Sequence, residues 1–135
     1  MRSIRIVAHG APAAQGSKKH VGNGRMVEMS KKLPAWRAAV EAAARLAAGP
    51  AWEPIDNAVS IAGEIRIRKP GSTKFGEYPA GPPDADKILR AIGDALQASR
   101  VITNDSRIIH WNVRKVWAED VPGMDITIYE LGGAE

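Results

Sequence analysis

Residues 82–96 read PPDADKILRAIGDAL: a proline pair, two aspartates one residue apart, then a helix-forming run. Ile88, Leu89, Ile92 and Leu96 recur at helical spacing, which predicts an amphipathic helix opening near Asp84. Aspartate is a favoured N-cap and suits the positive end of the helix dipole. One aspartate satisfies the cap, so the second of Asp84 and Asp86 is available for another task. Asp86, Arg90 and Asp94 stand four apart and share one helical face. Such a face is either a solvated salt-bridge ladder or one wall of a site.

Outward from this helix, IRIVAH (4–9) reads as a strand, and 10–26, rich in Gly, Ala and basic residues, as a long loop or loose hairpin. PAWRAAVEAAARLAA (34–48) is built from strong helix formers, with Pro34 in the first turn and Trp36, Val40, Ala43 and Ala44 on one stripe. Gly49-Pro50 stops it. VSIAGEIRIRK (59–69) alternates as a strand, with Gly63 marking a bulge. VIT (101–103), RIIHWNVRKVW (107–117) and MDITIYEL (124–131) read as further strands, the last two joined by a turn containing Pro122-Gly123. The order β–α–β–α–β–β is too irregular for a doubly wound sheet and predicts a single-domain α+β sandwich over residues 1–135.

Composition narrows the chemistry. The 135 residues suffice for one core, with 44% apolar and 25% charged residues. There is no cysteine, so disulfides and thiolate metal sites are excluded, and His9, His20 and His110 show no zinc-ligand spacing. MRSIRIVAHG holds no long apolar run, which argues against a secretory signal or membrane span and for a cytoplasmic protein. Residues 1–50 carry nine Lys/Arg against two acids, whereas 51–135 carry ten against thirteen. A basic half beside a half with clustered acids suits a polyanionic partner that also meets a metal ion, or is simply a solubilising surface.

Three motif alternatives fail. A calcium-binding EF-hand loop from Asp84 would need oxygen ligands where Ile88 and Ala95 stand. Gly10 and Gly16 are followed by Ser-Lys in the wrong order for a phosphate-binding Walker A loop. Asn104-Asp105-Ser106 spells a glycosylation acceptor, but nothing here indicates a secretory route.

DADKILRAIGDAL (84–96), followed by NDSRII (104–109), closely resembles the signature of the RusA family of Holliday-junction resolvases. In that family an Asp-x-Asp opens a helix ending in Asp-Ala-Leu, and a further Asp precedes the next strand. PAAQGSK (12–18) stands where relatives carry a Pro-x-Pro-Gln-like element. This chain has Arg90 where lysine is common, Lys87 where asparagine is frequent, and Asn104-Asp105 where an acidic pair is usual. Arginine keeps the charge and can grip phosphate in a bidentate way, but it is a far poorer proton donor.

The resemblance implies a RusA-like mixed sheet with helices and a Mg²⁺-dependent endonuclease, Mn²⁺ being a substitute, in a bacterial or phage-infected cell. Asp84, Asp86 and Asp105 would hold the metal, and Arg90 or Lys87 would stabilise charge on the scissile phosphate. Asp94 would take a supporting role, pairing with Arg90. Lys18, Lys19, Arg25, Lys31, Lys32, Lys69 and Lys74 would grip DNA, each alternatively a solvated surface lysine or arginine. Phe75 and Tyr78 would stack on opened bases or else pin their loop. Trp36, Trp52, Trp111 and Trp117 read as core or interface residues. A four-way junction has two-fold symmetry, so a C₂ homodimer is expected, meeting through the strands 107–117 and 124–131 or the first helix. The competing readings are a junction-binding protein with little or no cleavage, and a domain whose acids are only helix caps.

Overall fold

The alternation of Ile4, Ile6 and Ala8 with exposed neighbours makes β1 (Ser3–His9) a strand with one buried face. The computed structural model describes residues 1–16, 18–20, 26–28 and 31–132 of the chain, the side chains of 18–20 and 26–28 excepted. After β1 come β2 (Lys18–His20) and β3 (Met26–Glu28), paired antiparallel, so the basic segment does form a hairpin. Helix α1 (Leu33–Ala48) has proline in its first turn and buries Leu33, Trp36, Val40 and Ala44 along one stripe. Then follow β4 (Val59–Ile67), α2 (Ala85–Ala98), a 3-10 turn (Asp105–Arg107), β5 (Ile108–Trp117) and β6 (Gly123–Glu130).

Four strands form one mixed sheet in the order β1-β6-β4-β5. Strand β6 runs antiparallel to β1 and β4, while β4 and β5 are parallel and joined through α2. Helix α1 packs on β1 and α2, and α2 packs on β5. The inward residues Ile6, Ile61, Ile65, Ile126 and Ile128 join Trp36, Ile88, Ile92 and Leu96 in a single apolar cluster. Burying each such isoleucine stabilises the fold by about 1.5–3 kcal/mol, and truncating one to alanine would cost about 2–5 kcal/mol. The architecture is the expected α+β arrangement of helices layered on a mixed sheet.

Two local expectations, on residues 101–103 and on Gly63, are corrected. Residues 101–103 are not a sheet strand: Val101 and Ile102 are fully buried, but Ile102 makes only an isolated bridge to Ile55 before the 3-10 turn redirects the chain. Strands β5 and β6 follow each other in sequence without pairing, because β4 lies between them. Gly63 is not a bulge. The β4–β6 ladder runs unbroken through Gly63, whose φ is +152°, and a β-carbon there would lie 2.7 Å from Ile126 Cα and overlap the Asp125 carbonyl oxygen. The glycine permits close approach of two backbones. The register irregularity falls instead at Val59/Ser60, where Ile109 is the extra residue of β5.

Candidate active site

Helix α2 opens at Asp84, which has the extended backbone of an N-cap but no side-chain capping hydrogen bond. Its carboxylate instead lies 3.5 Å from the Lys87 ammonium. Asp86, two residues on, projects from a different side of the helix, since residues at i and i+2 do not share a face. Asp86 and Arg90, one turn apart, do share one, and both line a cavity of about 260 Å³ between α2 and β5. Asp105 lines the same cavity from the 3-10 turn, with Leu89, Ile108 and Trp111 as its apolar walls.

The 3-10 turn places Asp105 by local hydrogen bonds. Asn104 Oδ1 accepts from the Ser106 N–H at 2.8 Å, and the Asp105 N–H donates to Gln97 Oε1 of α2 at 2.9 Å. Arg107 closes the turn by donating to Asp56 Oδ1 from Nη2 at 2.9 Å. Thr103 and Arg107 together hold the Asp56 carboxyl below its usual range. Asn104 therefore serves as a cap. The side chains of Asp86, Arg90 and Asp105 form no hydrogen bond or ion pair among the described residues, so two carboxylates and one guanidinium remain available in one cavity.

A loop from the N-terminal half completes the wall. Gln15 docks on α2, its N–H donating to the Lys87 carbonyl at 3.0 Å and its side-chain amide to Asp94. Asp94 thus partners Gln15 and not Arg90. Beside it, Gly16 has φ +99°, and a β-carbon there would lie 3.2 Å from Arg90 Cζ and closer still to Nη1. The guanidinium can occupy its position only because residue 16 lacks a side chain.

The loop leading into α2 is tied down by β5. Lys115, on the inward face, donates to the Gly81 and Pro83 carbonyls at 2.7 and 2.9 Å, and Trp117 Nε1 donates to the Gly76 carbonyl at 2.8 Å. Burial pushes the Lys115 ammonium below its usual range, and the Asp84 carboxylate opposes that shift. Phe75 is half-buried against Gly81 with Lys74 over its ring, so it pins the loop, whereas Tyr78 is 73% exposed. Lys69 sits over Trp117 at 6.0 Å. Lys31 and Lys32 are exposed at the start of α1. Arg25 and the side chains of Lys18 and Lys19 lie outside the described residues.

The tryptophans divide. Trp36 is fully buried, Trp52 Nε1 donates to the Val101 carbonyl, Trp117 clamps the loop, and Trp111 reaches the cavity. A larger hollow of about 650 Å³ lies elsewhere on the sheet, lined by His9, Glu64, Arg66, Trp117, Glu119 and Asp120. Its size does not make it the reactive centre, because none of the expected acids enters it and Arg66 is already engaged by Glu64 at 2.9 Å and Asp125 at 3.4 Å.

Asp86 and Asp105 fit a hard divalent cation by donor type, since Mg²⁺ takes one or two carboxylates and keeps several waters. Asp84 does not line the cavity and pairs with Lys87, and among the described residues no three acidic or histidine side chains gather around one point. The cavity thus brings two carboxylates and a guanidinium together beside apolar walls, a donor set suited to phosphodiester chemistry. Over residues 9–129, most of its length, the chain matches the family described as Endodeoxyribonuclease RusA. It belongs to that family of Holliday-junction-resolving endodeoxyribonucleases, and DNA is its partner. No curated protein matches the sequence. Among the described residues no helix is long and apolar enough to cross a membrane.

Gln15, Gly16, Gly93, Trp111 and Lys115 were not among the expected site residues. Gln15 and Gly16 did stand inside the quoted PAAQGSK element, and Gly93 was visible as a glycine in a helix interior.

Proposed function

We propose that this single domain is a Mg²⁺-dependent, structure-selective endodeoxyribonuclease that resolves four-way junctions by paired symmetric nicks as a homodimer, in recombination and repair or phage DNA processing. The observation that carries this reading is the convergence of Asp86, Asp105 and Arg90 on one cavity in a chain of the RusA family. Asp86 and Asp105 would hold the cation, with Asp84 joining them once released from Lys87. When bound, the cation supplies charge neutralisation at the phosphate and activation of the hydrolytic water.

The remaining work falls to the chain. Arg90 grips non-bridging oxygens of the scissile phosphate and stabilises the charge that grows there, in a position set by Gly16. Lys87, freed from Asp84, neutralises a neighbouring phosphate. Lys115 and Trp117 hold the 70–84 loop so that α2 presents its acids in fixed geometry. Lys31, Lys32, Lys69 and Lys74, with Lys18, Lys19 and Arg25, track the DNA backbone, and Tyr78 contacts the opened crossover.

The test is nicking of a synthetic four-way junction by the intact chain in Mg²⁺ and in EDTA, with sedimentation of the complex. Paired nicks in Mg²⁺ alone, from a complex of two protein chains, are expected. Junction binding without any nicking in Mg²⁺ or Mn²⁺ would leave a binding protein in place of an enzyme.

A further inference from the structure

We propose that the recess under Asp86 and Asp105 receives one unstacked nucleobase, that of the nucleotide adjoining the phosphodiester to be cut. The proposal rests on the nuclease reading of the site and adds a substrate contact to it.

The recess is two-sided in chemistry. Its rim carries Asp86, Asp105 and Arg90, and its walls are Leu89, Ile108 and Trp111. A phosphate has no partner on those walls, whereas a base has both apolar edges and a π-face to offer the indole. At about 260 Å³ the recess is smaller than the roughly 300–1,000 Å³ clefts that take drug-sized ligands, which suits one ring system. A base drawn from the crossover meets the least resistance there, because unpaired or strained bases are the easiest to unstack.

Gly93 supplies an independent reason. It is buried in the interior of α2, where glycine is a poorer helix former than any residue but proline. Close packing does not require it. A β-carbon there would meet Ile108 Cδ1 at 3.6 Å, Asp105 Cβ at 3.7 Å and Trp111 Cζ2 at 3.9 Å, all ordinary contacts. Alanine would fit and would favour the helix, yet its methyl group would stand on the floor of the recess. The glycine keeps that floor open.

The experiment measures binding in EDTA, where cleavage does not interfere. Four-way junctions carrying a single abasic site, moved one nucleotide at a time across the crossover, are titrated with the full-length wild type, Gly93→Ala and Trp111→Ala. At one position next to the cut, the base should be worth about tenfold more binding to the wild type than to either variant, the scale of one base stacked on an aromatic ring. Gly93→Ala should melt no lower than wild type, so the test stands even if Trp111→Ala fails to fold. Normal junction binding with no position at which base and variant are coupled would overturn the recess assignment alone. No preference of the wild type for junction over linear duplex would overturn the functional reading together with it.

Discussion

Replacing Gly16 by alanine tests whether Arg90 works from the position in which the fold holds it. The backbone at residue 16 has φ +99°, which a side chain tolerates at a cost of about 1–3 kcal/mol. That strain should lower Tm by roughly 3–10 °C in a domain of this size. The new methyl group would also lie 3.2 Å from Arg90 Cζ and inside contact distance of Nη1, so the guanidinium must swing away by about 1 Å or more. Moving a long exposed side chain adds little to the stability loss, but misplacing a charge-stabilising group by that distance costs about a hundredfold in rate. Single-turnover nicking of a four-way junction, below the melting range, should therefore fall by about that factor. The decisive arm is the double variant. With Arg90→Ala already present and cleavage already reduced about a hundredfold, Gly16→Ala should still lower Tm but should not slow cleavage further. If Gly16→Ala cuts at the wild-type rate, or slows cleavage equally in both backgrounds, the link through Arg90 is wrong.

Three further outcomes are expected. Asp84→Asn, Asp86→Asn and Asp105→Asn should each abolish nicking while leaving junction binding intact or slightly tighter in a mobility-shift titration; wild-type cleavage by all three would remove the acids from the reaction. Alanine at both Lys18 and Lys19 should weaken binding to every DNA and reduce the slope of log K against log salt by about two, and an unchanged slope would move the DNA surface elsewhere. On the open face of the sheet, Arg5 donates to Asp125 at 2.6 and 2.9 Å, and this hydrogen bonding, more than its charge or that of Arg66, depresses the Asp125 carboxyl below its ordinary 3.8. A depressed folded-state value stabilises the protein above the unfolded value and ceases to do so as pH falls through the folded one. Asp125→Asn should thus melt below wild type at pH 7, with the gap closing below about pH 4; a gap that stays constant into acid would refute the pairing.

Those predictions rest unequally on sequence and on structure, for a physical reason. Helices α1 and α2 and strand β1 were legible because their periodicity is a local property, written in Trp36, Val40 and Ala44 or in Ile4, Ile6 and Ala8. Strand order was not, because nothing within 107–117 or 124–131 states that β4 lies between them. Gly63 announced an unusual backbone, but whether that meant a bulge or a close approach depended on Asp125 and Ile126, sixty residues away. Similarly, the spacing of Asp86 and Arg90 put them on one helical face but left open whether that face was a solvated ladder or the wall of a site. The partners of Asp94 and the constraint on Arg90 come from Gln15 and Gly16, brought over by tertiary packing.

Lys115 shows how more of the site could have been read. In IIHWNVRKVW the alternation that turns Trp111 and Val113 toward α2 turns Lys115 and Trp117 the same way. A charged side chain at an inward position loses hydration and persists only where polar partners await it. The partners had to be groups that elements on that side of the sheet leave unpaired, and a Pro/Gly loop with few internal hydrogen bonds is the natural source of free carbonyls. Here they are the carbonyls of Gly81 and Pro83, immediately before Asp84. The one residue that breaks the apolar pattern of β5 is thus the one that anchors the entrance to α2, and a local rule is broken where the loop before that helix requires it.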